Sequence, residues 1–365
     1  MTGEERITEI EEELHKTVYN KATQYHIGKL KAKLAQLKEQ EIKRKSSAKK
    51  GEGYAVKKSG DATVVLVGFP SVGKSTLLNA LTDADSRVAA YEFTTLNVVP
   101  GMMEYEGARI QILDLPGIIV GASIGKGRGR EVLSIVRNAD LILILLDATN
   151  IKHLSALEKE LYEVGIRLNQ RPPRVSIQKT DRGGVSVVAN VKLTKIDKRT
   201  VREILNVYGI HNATVALHED ITDDQMIDAI QKNRIYSPSL ILLNKIDMLN
   251  AEDLKKVRTE LKNQAIEVSA EKRQNIEELK KKIFQKLDVI RVYTKRYGEK
   301  THSPEPMIMK AGSNVRDACA FVHRDIIKKF KYAHVTGKSV KFDEQVVGLN
   351  HVLADGDILT IVTAR

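Results

Sequence analysis

The sequence contains a single cysteine, Cys319, among its 365 residues. One cysteine excludes both an internal disulfide framework and a zinc site built from cysteines, and it favours a reducing compartment. Long apolar runs are also absent, because the longest, Leu141–Leu146, falls far short of the roughly 20 residues that span a bilayer. The acidic start of the chain lacks the basic end and apolar core of a secretory signal. We therefore expect a soluble, cytoplasmic protein that does not bind membranes.

Negative charge is the scarcer sign, since 47 Asp and Glu stand against 59 Lys and Arg and give a net charge of +12. The excess is concentrated: residues 29–58 hold eleven Lys and Arg and three Glu. A basic segment of this density binds phosphate backbones by releasing counterions, so it predicts contact with nucleic acid. The alternative interpretation is a solvated helix face followed by a linker, with no bound partner.

Apolar residues recur every three to four positions within residues 4–45, a spacing typical of amphipathic helices. The segment Tyr25-His26-Ile27-Gly28 predicts a break, so that two helices form a hairpin. The residues that follow, up to residue 58, have no apolar period and are interpreted as a linker. We assign residues 1–58 to an N-terminal basic helical region.

A different pattern begins at Ala62. Continuous apolar strands alternate with helical segments, which predicts a mostly parallel α/β sheet over residues 59–165 and 236–289. The pair Glu106-Gly107 predicts the turn of an antiparallel hairpin. The interval 166–235 is longer than one crossover helix requires. It contains two strand-like and two helical stretches, and we assign it to an inserted α+β module.

Residues 290–365 predict a small domain of their own. Two strand-like stretches (VIRVYTK and PMIMKAG) precede a helix (NVRDACAFVHRDIIKKF), and two more strand-like stretches (KSVKF and ILTIVTA) follow it. This order in a segment of this length is typical of a β-grasp fold. Asp355-Gly356 predicts a tight turn before the last strand.

The segment GFPSVGKST matches the pattern G-x-x-x-x-G-K-S/T of a phosphate-binding loop. It lies between a hydrophobic strand and a helix, which is the context that such a loop requires. Its backbone amides and the helix N-terminus are expected to surround the β-phosphate of a nucleotide. Lys74 is predicted to reach the β- and γ-phosphate oxygens, and Ser75 to bind Mg²⁺. The predicted nucleotide contacts of this segment are Gly68, Phe69, Pro70, Ser71, Val72, Gly73, Lys74, Ser75 and Thr76.

Two further segments complete the predicted metal site. In Asp114-Leu115-Pro116-Gly117, which follows an apolar strand, the carboxylate is expected to contact Mg²⁺ through water and the glycine N–H to contact the γ-phosphate. In Phe93-Thr94-Thr95 one threonine is expected to bind the metal, and we favour Thr95 over Thr94. All seven residues are predicted nucleotide contacts. The predicted catalytic groups are Lys74, Thr95 and Gly117.

Two segments compete to select the base, Asn244-Lys245-Ile246-Asp247 and Thr194-Lys195-Ile196-Asp197. The first follows a buried strand and has Ser269-Ala270 at the end of the next one, whereas the second lies in the insertion without such a follower. We choose the first. Asp247 can accept from both N1–H and the exocyclic amine of guanine, and adenine would leave this carboxylate unpaired. The sequence therefore predicts GTP rather than ATP, bound here by Asn244, Lys245, Asp247, Ser269 and Ala270.

The chain resembles the developmentally regulated GTP-binding protein (DRG) family of Obg-like GTPases in GFPSVGKSTLLNALT, YEFTTL, DLPGIIVGASIGKGRGRE and NKID, and the similarity extends over the whole chain. The resemblance implies an α/β P-loop GTPase domain with an N-terminal helical hairpin, an inserted α+β module and a C-terminal TGS domain of β-grasp fold. It also implies a GTPase that associates with the ribosome or ribosomal RNA, and regulation by the DRG family regulatory protein. We expect a monomer that converts GTP to GDP.

In Ras-like switches a glutamine after D-x-x-G orients the attacking water, and the matching residue here is Ile118, which cannot hydrogen-bond. Unaided hydrolysis is therefore expected to be slow, on the order of 10⁻⁴ to 10⁻² s⁻¹. K⁺ is one candidate activator, although the asparagine that binds it in some relatives is replaced by Ser71. The stretch Gly125–Arg130, with three cations, is another candidate. The alternative for that stretch is a solvated switch loop.

Two other functions fit parts of the sequence. An RNA- or ribosome-binding scaffold would use nucleotide only to stabilise its fold, and phosphate release with and without ribosomes separates it from a GTPase. A P-loop kinase would transfer phosphate to a small acceptor, which the guanine-reading segment Asn244–Asp247 argues against.

Overall fold

The computed structural model describes residues 3–18, 20–47, 59–82, 99–115, 135–136, 138–299 and 301–364. Its helices are α1 Gly3–Lys16, α2 Gln24–Ser47, α3 Lys74–Leu81, α4 His153–Glu163, α5 Lys198–Val207, α6 Asp223–Gln231, α7 Ala251–Glu260, α8 Ile276–Lys286, α9 Val315–Val322 and α10 Arg324–Lys329. Its strands are β1 Ala62–Val67, β2 Val99–Tyr105, β3 Ala108–Asp114, β4 Leu141–Asp147, β5 Ile166–Leu168, β6 Val175–Lys179, β7 Val185–Ala189, β8 Ala213–Leu217, β9 Ile235–Ser237, β10 Ser239–Asn244, β11 Ala265–Glu267, β12 Val289–Thr294, β13 Met307–Lys310, β14 Phe330–Thr336, β15 Gln345–Val347 and β16 Asp357–Thr363. None of these helices combines the length and the apolar character that crossing a membrane demands.

The chain divides into two compact units. The described residues of segments 1–53 and 170–236 form the first unit, and those of segments 54–169 and 237–365 form the second. The second unit therefore includes both the nucleotide-binding domain and the C-terminal domain.

The nucleotide-binding domain is built on a six-stranded sheet with the order β11-β10-β4-β1-β3-β2. Neighbouring strands are parallel except β2, which pairs antiparallel with β3 across the predicted turn at Glu106-Gly107. Strands β1 and β4 are apolar runs that are buried along almost their whole length, as a parallel sheet covered by helices requires. The strands β1, β4 and β10 end at one edge of the sheet, where Asn244 lies opposite Asp147. This architecture confirms the predicted P-loop fold.

The first unit contains a three-stranded sheet in which β8 lies between β6 and β7. Strand β6 is antiparallel to β8, and β7 is parallel to it. Residues of α5 and α6 pack with one face of the sheet, and α2 joins the same core through Ala32, which is fully buried. The two strand-like and two helical stretches predicted for this module correspond to β6, β7, α5 and α6, whereas the central strand β8 was not predicted. That strand is short and contains two alanines, so its apolar pattern is weak.

The predicted helix break at Tyr25–Gly28 is wrong. These residues lie inside α2, and the chain turns earlier, where the Asn20 side chain accepts hydrogen bonds from the N–H groups of Ala22 and Thr23. Gly28 permits close packing instead, because a Cβ there would collide with the side chain of Thr200 in α5 at 2.5 Å. Helix α2 therefore shares one core with the inserted module, which differs from the predicted division into segments 1–58 and 166–235.

The C-terminal domain has a five-stranded sheet with the order β13-β12-β16-β14-β15. Strands β12 and β16 are parallel, and the other neighbours are antiparallel. The single predicted helix is instead two, α9 and α10, divided at His323, whose side chain caps α10. The predicted strand KSVKF, residues 338–342, consists of turns and bends between β14 and β15. The predicted turn at Asp355-Gly356 is present, with Gly356 at φ 89°.

The two domains of the second unit share apolar packing and ion pairs. Val289 and Ile308, at the starts of β12 and β13, join the core of the nucleotide-binding domain. The Arg291 guanidinium donates to Glu106 at 2.6 Å and to Asp355 at 2.7 Å. One side chain of β12 thus links the hairpin turn of β2 and β3 with the last turn of its own domain.

Candidate nucleotide-binding site

The loop between β1 and α3, residues 68–73, lies at the carboxyl edge of the large sheet. Two of its residues have a left-handed backbone, Ser71 at φ 64° and Gly73 at φ 91°. A Cβ at Gly68 would meet the carbonyl oxygen of Leu145 at 2.7 Å, and one at Gly73 would collide with the side-chain amide of Asn244. Both pattern glycines are therefore required by the close approach of neighbouring groups.

Lys74 begins α3, and its ammonium group turns back over the loop. Nζ donates to the carbonyl oxygens of Phe69 at 3.0 Å and Gly68 at 3.2 Å. Burial lowers the pKa of Lys74, and the nearby Asp114 carboxylate opposes that shift. The cation is thus held within the loop, where the oxygens of a bound phosphate can replace the carbonyl oxygens as its partners.

Ser75 and Asp114 bring a hydroxyl and a carboxylate together. Ser75 Oγ donates to Asp114 Oδ2 at 2.9 Å. Within the described part of the chain, the buried Oδ1 of Asp114 has no hydrogen-bond partner. Burial raises the pKa of Asp114, while Ser75 and Lys74 act in the opposite direction. A buried carboxylate oxygen that lacks a donor, next to a hydroxyl, fits a hard cation such as Mg²⁺.

Asn244 ends β10 and connects two loops. Its Nδ2 donates to the carbonyl oxygen of Val72 at 2.9 Å, and its Oδ1 accepts from the N–H of Ala270 at 3.0 Å. The side chain is buried, with 2% of the residue exposed. One amide group therefore holds the phosphate loop and the Ser269-Ala270 segment at a fixed separation.

Lys245 has a left-handed backbone at φ 65° and reaches the same loop from the next position. Its Nζ donates to the carbonyl oxygen of Ser71 at 2.8 Å and to Asp147 Oδ2 at 2.7 Å. Burial raises the pKa of Asp147, but the bonds from Lys245 and Thr149 outweigh burial and keep the pKa below its ordinary value. Asp147 was not among the predicted site residues, although its place at the carboxyl end of a buried strand was a usable signal.

Asp247 lies in the single 3-10 turn Ile246–Met248 that follows. A hydrogen bond from the Ser269 hydroxyl is the main cause of a lowered pKa for Asp247, and Lys272 contributes in the same direction. Lys272 Nζ lies 3.6 Å from Asp247 Oδ2. The carboxylate is therefore ionised at neutral pH and oriented by a neighbouring hydroxyl. No motif of the sequence pointed to Lys272.

The remaining predicted residues divide into two groups. Pro70 and Thr76 are exposed, and Leu115 is buried, with its N–H donating to the carbonyl oxygen of Leu66 at 3.4 Å. Several predicted residues lie outside the described residues: Phe93, Thr94, Thr95, Pro116, Gly117, Ile118 and the stretch Gly125–Arg130.

The competing segment Thr194–Asp197 has separate local roles in the first unit. Thr194 donates to Asp220 through both its N–H and its hydroxyl. The Asp197 carboxylate accepts from the N–H of Thr200 at 2.6 Å and caps α5. The first and last side chains of this segment are thus used in the structure of the module itself.

Three family models match consecutive parts of the chain. The model described as 50S ribosome-binding GTPase matches residues 63–179, the C-terminal region of MMR_HSR1 domain matches residues 182–289, and the TGS domain matches residues 290–363. The second and third models begin within a few residues of the ends of the first and second. Together the three models match residues 63–363, apart from residues 180 and 181.

Known proteins match over nearly the whole length. An uncharacterized GTP-binding protein of Methanocaldococcus jannaschii is 57% identical over 99% of this chain and 93% of its own. GTP-binding protein 1 of Schizosaccharomyces pombe is 47% identical over 98% of this chain and 99% of its own. Developmentally-regulated GTP-binding protein 1 of Xenopus laevis is 46% identical over 98% of both chains. The solved structure of the Schizosaccharomyces pombe YchF GTPase is 18% identical, covers 84% of this chain and 99% of its own, and has a TM-score of 0.46.

Close to half of all residues are identical to those of such proteins from end to end, and the GTPase and TGS models match the corresponding parts of the chain. The chain is a GTPase and belongs to the developmentally regulated GTP-binding protein family.

Proposed function

We propose that this GTPase is a molecular switch that binds the ribosome or ribosomal RNA and acts in translation, in the cytoplasm where ribosomes work. The observation that carries the proposal is the pair of hydrogen bonds by which Asn244 joins Val72 to Ala270. They bring the base-reading carboxylate of Asp247 and the phosphate-binding loop into one site. A nucleotide can therefore be gripped at its base and at its phosphates together.

Guanine is selected by Asp247. Its ionised carboxylate, oriented by Ser269, accepts from N1–H and from the exocyclic amine of guanine. Adenine offers no such pair of donors and leaves the carboxylate without partners, which costs several powers of ten in affinity. Lys272 Nζ lies 3.6 Å from Asp247 Oδ2 and favours the ionised form of this carboxylate.

The phosphates are bound by the loop amides and by Lys74. Ser75 and Asp114 would hold Mg²⁺ with Thr95, Asp114 acting through water, and Mg²⁺ supplies positive charge beside the β- and γ-phosphates. The lowered pKa of Lys74 reflects burial, and an arriving phosphate offsets that burial by adding negative charge. Phe69, Pro70 and Thr76 complete the surroundings of the phosphates.

Hydrolysis is slow without an activator, because Ile118 replaces the glutamine that orients water in Ras-like switches. Thr95 and Gly117 respond to the γ-phosphate, so that GTP orders their loops and hydrolysis releases them. Negative charge that develops in the transition state needs stabilisation beyond that from Lys74 and Mg²⁺. It comes from K⁺, from a cation of Gly125–Arg130, or from a bound partner such as the DRG family regulatory protein. The protein itself acts as a monomer.

The ribosome contact is supported by the basic segment of residues 29–58 and by the description of the matching GTPase family. Part of this charge is used within the first unit, since Lys31 pairs with Asp224 at 2.8 Å and Lys38 with Glu11 at 2.8 Å. Lys33 is exposed and available to a phosphate backbone. The binding surface is therefore narrower than the sequence count of cations indicates.

The proposal is tested by GTP turnover and co-sedimentation with ribosomes, each in the GTP-analogue and GDP states. We expect binding that depends on the nucleotide and phosphate release that increases with ribosomes. No phosphate release with or without ribosomes would favour the scaffold alternative. Equal co-sedimentation in the GTP-analogue and GDP states would contradict a switch.

The basic segment is tested by replacing Lys49, Lys50, Lys57 and Lys58 with Gln in the full chain. This change leaves Ala32 and the core of the first unit intact, unlike removal of residues 1–58. Ribosome or RNA association should weaken, and its salt dependence should flatten by up to about 0.7–0.9 in logarithmic slope per lost phosphate contact. GTP affinity serves as the control and should stay unchanged.

A further inference from the structure

The sheet of the C-terminal domain has one face covered by its own helices and one that is not, as far as residues 290–364 are described. The covered face carries the core residues Ile290, Val292, Ala333, Val335 and Leu359 beneath α9 and α10. On the other face, Val289 and Ile308 pack against the nucleotide-binding domain. The rest of this face, along β12, β14, β15 and β16, is here called the open face.

Strand register places aromatic side chains on the open face. In β14, Tyr332 and His334 alternate with core residues and therefore lie on the opposite side of the sheet. His334 is opposite Val346 of β15, which is 59% exposed. By the same alternation Tyr293 of β12 shares this face, and its ring lies 4.8 Å from the ring of His302.

Three of the rings form a continuous row. The Tyr297 ring stacks on His334 with 6.3 Å between ring centroids and an interplanar angle of 27°, and Tyr332 meets His334 edge-on at 5.3 Å. His334 Nδ1 donates to the carbonyl oxygen of Glu344 at 3.0 Å, which fixes the imidazole in this row. Tyr297 is nevertheless 72% exposed. Tyr332 and His334 are half-buried. The row is thus ordered in advance, and its Tyr297 end is presented to solvent as part of a contiguous patch, which is typical of a binding surface.

Cations flank the row. Lys331 Nζ lies 5.9 Å from the centroid of the Tyr332 ring, and the Arg296 side chain is 88% exposed. Two acids near the row each face a cation, because Glu344 lies 3.1 Å from Lys295 and Glu299 lies 4.0 Å from Arg296. The domain as a whole has thirteen Lys and Arg against eight Asp and Glu. Aromatic rings in a positive field suit a ligand with flat rings and negative charge.

We propose that the open face binds single-stranded RNA. Bases stack on Tyr297 and Tyr332, and Lys331 and Arg296 contact the phosphates between them. A duplex keeps its bases stacked inside and cannot offer them to the rings, so it binds more weakly. An apolar peptide has no groups for the flanking cations. The inference rests on the RNA-binding part of the proposed function. It adds that the open face is the surface that binds RNA and that the RNA is single-stranded.

The test measures fluorescence anisotropy of a labelled oligouridylate of about 12 nucleotides, within the range of roughly 4–16 that single-strand-binding OB-folds cover. The full chain should bind the single strand more tightly than a duplex of the same length. Tyr297→Ala should weaken binding about tenfold, since stacking of one base contributes on that scale. Tyr297→Phe keeps the ring and should stay within about twofold of the unchanged protein.

Two further variants separate stacking from charge and from misfolding. Arg296→Gln should flatten the salt dependence of binding without removing the preference for single strands. Phe321→Ala is the matched control, because Phe321 is a 59% exposed aromatic residue on α9, on the helix side of the domain. Equal affinity of Tyr297→Ala, Phe321→Ala and the unchanged protein would overturn the proposal, as would preference for the duplex.

Ribosome co-sedimentation of the same variants keeps this inference distinct from the proposed function. If the unchanged protein sediments with ribosomes but does not bind the oligouridylate, the open face is not an RNA site, while ribosome association stands. If Tyr297→Ala loses the oligouridylate while retaining GTP hydrolysis, the open face is an RNA site separate from the nucleotide site.

Discussion

Two tetrapeptides of this chain differ in a single residue and have unrelated roles. Asn244-Lys245-Ile246-Asp247 ends a strand of the large sheet, and its asparagine joins the phosphate loop to Ala270. Thr194-Lys195-Ile196-Asp197 lies between β7 and α5, where its first residue binds Asp220 and its last residue caps a helix. The shared residues do not make a base-reading site by themselves.

The difference shows what such a site needs in addition. An asparagine side chain offers a donor and an acceptor at once, so it can bridge two loops, whereas a threonine hydroxyl is too short to reach both. The carboxyl end of a parallel strand also supplies the neighbouring loops that are to be bridged. The four predictions that follow test the different roles of the two segments and of the residues beside them.

The largest effect is expected for Asp247→Asn. The amide would present a donor to the N1–H and amine of guanine, so GTP affinity should fall by about three powers of ten or more. Xanthosine triphosphate should bind better than GTP to this variant, because its C2 carbonyl can accept from the amide. Calorimetry with both nucleotides measures the two changes. Asp197→Asn is the matched control: it keeps an oxygen that can cap α5 and should leave GTP affinity unchanged.

Asn244→Ala should have the next largest effect. It leaves the carbonyl of Val72 and the N–H of Ala270 without their buried partner, at about 1–3 kcal/mol for each. That cost should appear as lower stability to urea. Because the phosphate loop and the Ser269-Ala270 segment are then no longer held at a fixed separation, GTP affinity measured by calorimetry should also fall, by about 2 kcal/mol in binding free energy. Thr194→Ala should bind GTP normally. A similar loss in both variants would show that the position of the segment does not matter.

Asp223 should make the first unit sensitive to pH. Burial raises the pKa of Asp223 from 3.8 to about 6, with Asp224 and Asp197 adding to the rise and Lys31 opposing it. Because this pKa is higher in the folded than in the unfolded chain, ionisation destabilises the fold above pH 6, and the destabilisation disappears as the pH falls toward 4. Stability to urea should rise by about 1–3 kcal/mol over that interval, relative to Asp223→Asn. Asp197→Asn should reduce this rise in stability. If Asp223→Asn showed the same rise as the unchanged protein, the pH dependence would come from a group other than Asp223.

Asp197→Ala should have the smallest effect of the four. It removes the side-chain cap of α5, which contributes about 1 kcal/mol to stability. Hydrogen exchange of the first amides of α5 should accelerate accordingly. GTP binding should not change, in contrast to any substitution of Asp247.

Much of the nucleotide site was predictable because its signals are local. The strand, the glycine loop and the helix of residues 62–81 follow one another without interruption, so the position of Lys74 and Ser75 needed no tertiary information. The sequence also favoured the segment that begins at Asn244 over the one that begins at Thr194, because a buried apolar strand directly precedes only the former. These features depend on the order of residues along a short stretch of chain.

Other features could not be predicted, because they depend on residues distant in sequence. The stacking of Phe69 on His153, with 4.2 Å between ring centroids, joins two elements that no motif connects. The burial of Gly28 against Thr200 turned a predicted helix break into a helix contact. The number of Lys and Arg residues in α2 exceeds the number that can bind a partner, because Lys31 is paired with an acid of α6, nearly two hundred residues later.

The sequence by itself determined the elements of the nucleotide site, because strand period, glycine placement and the polar residue after each strand are set by neighbours along the chain. The tertiary structure alone decided which polar groups meet. Asn244 reaches Val72, Asp147 reaches Lys245, and the N-terminal helix completes the core of the inserted module. The physical reason is that buried hydrogen bonds and close packing form between surfaces, and a surface exists only after the chain has folded.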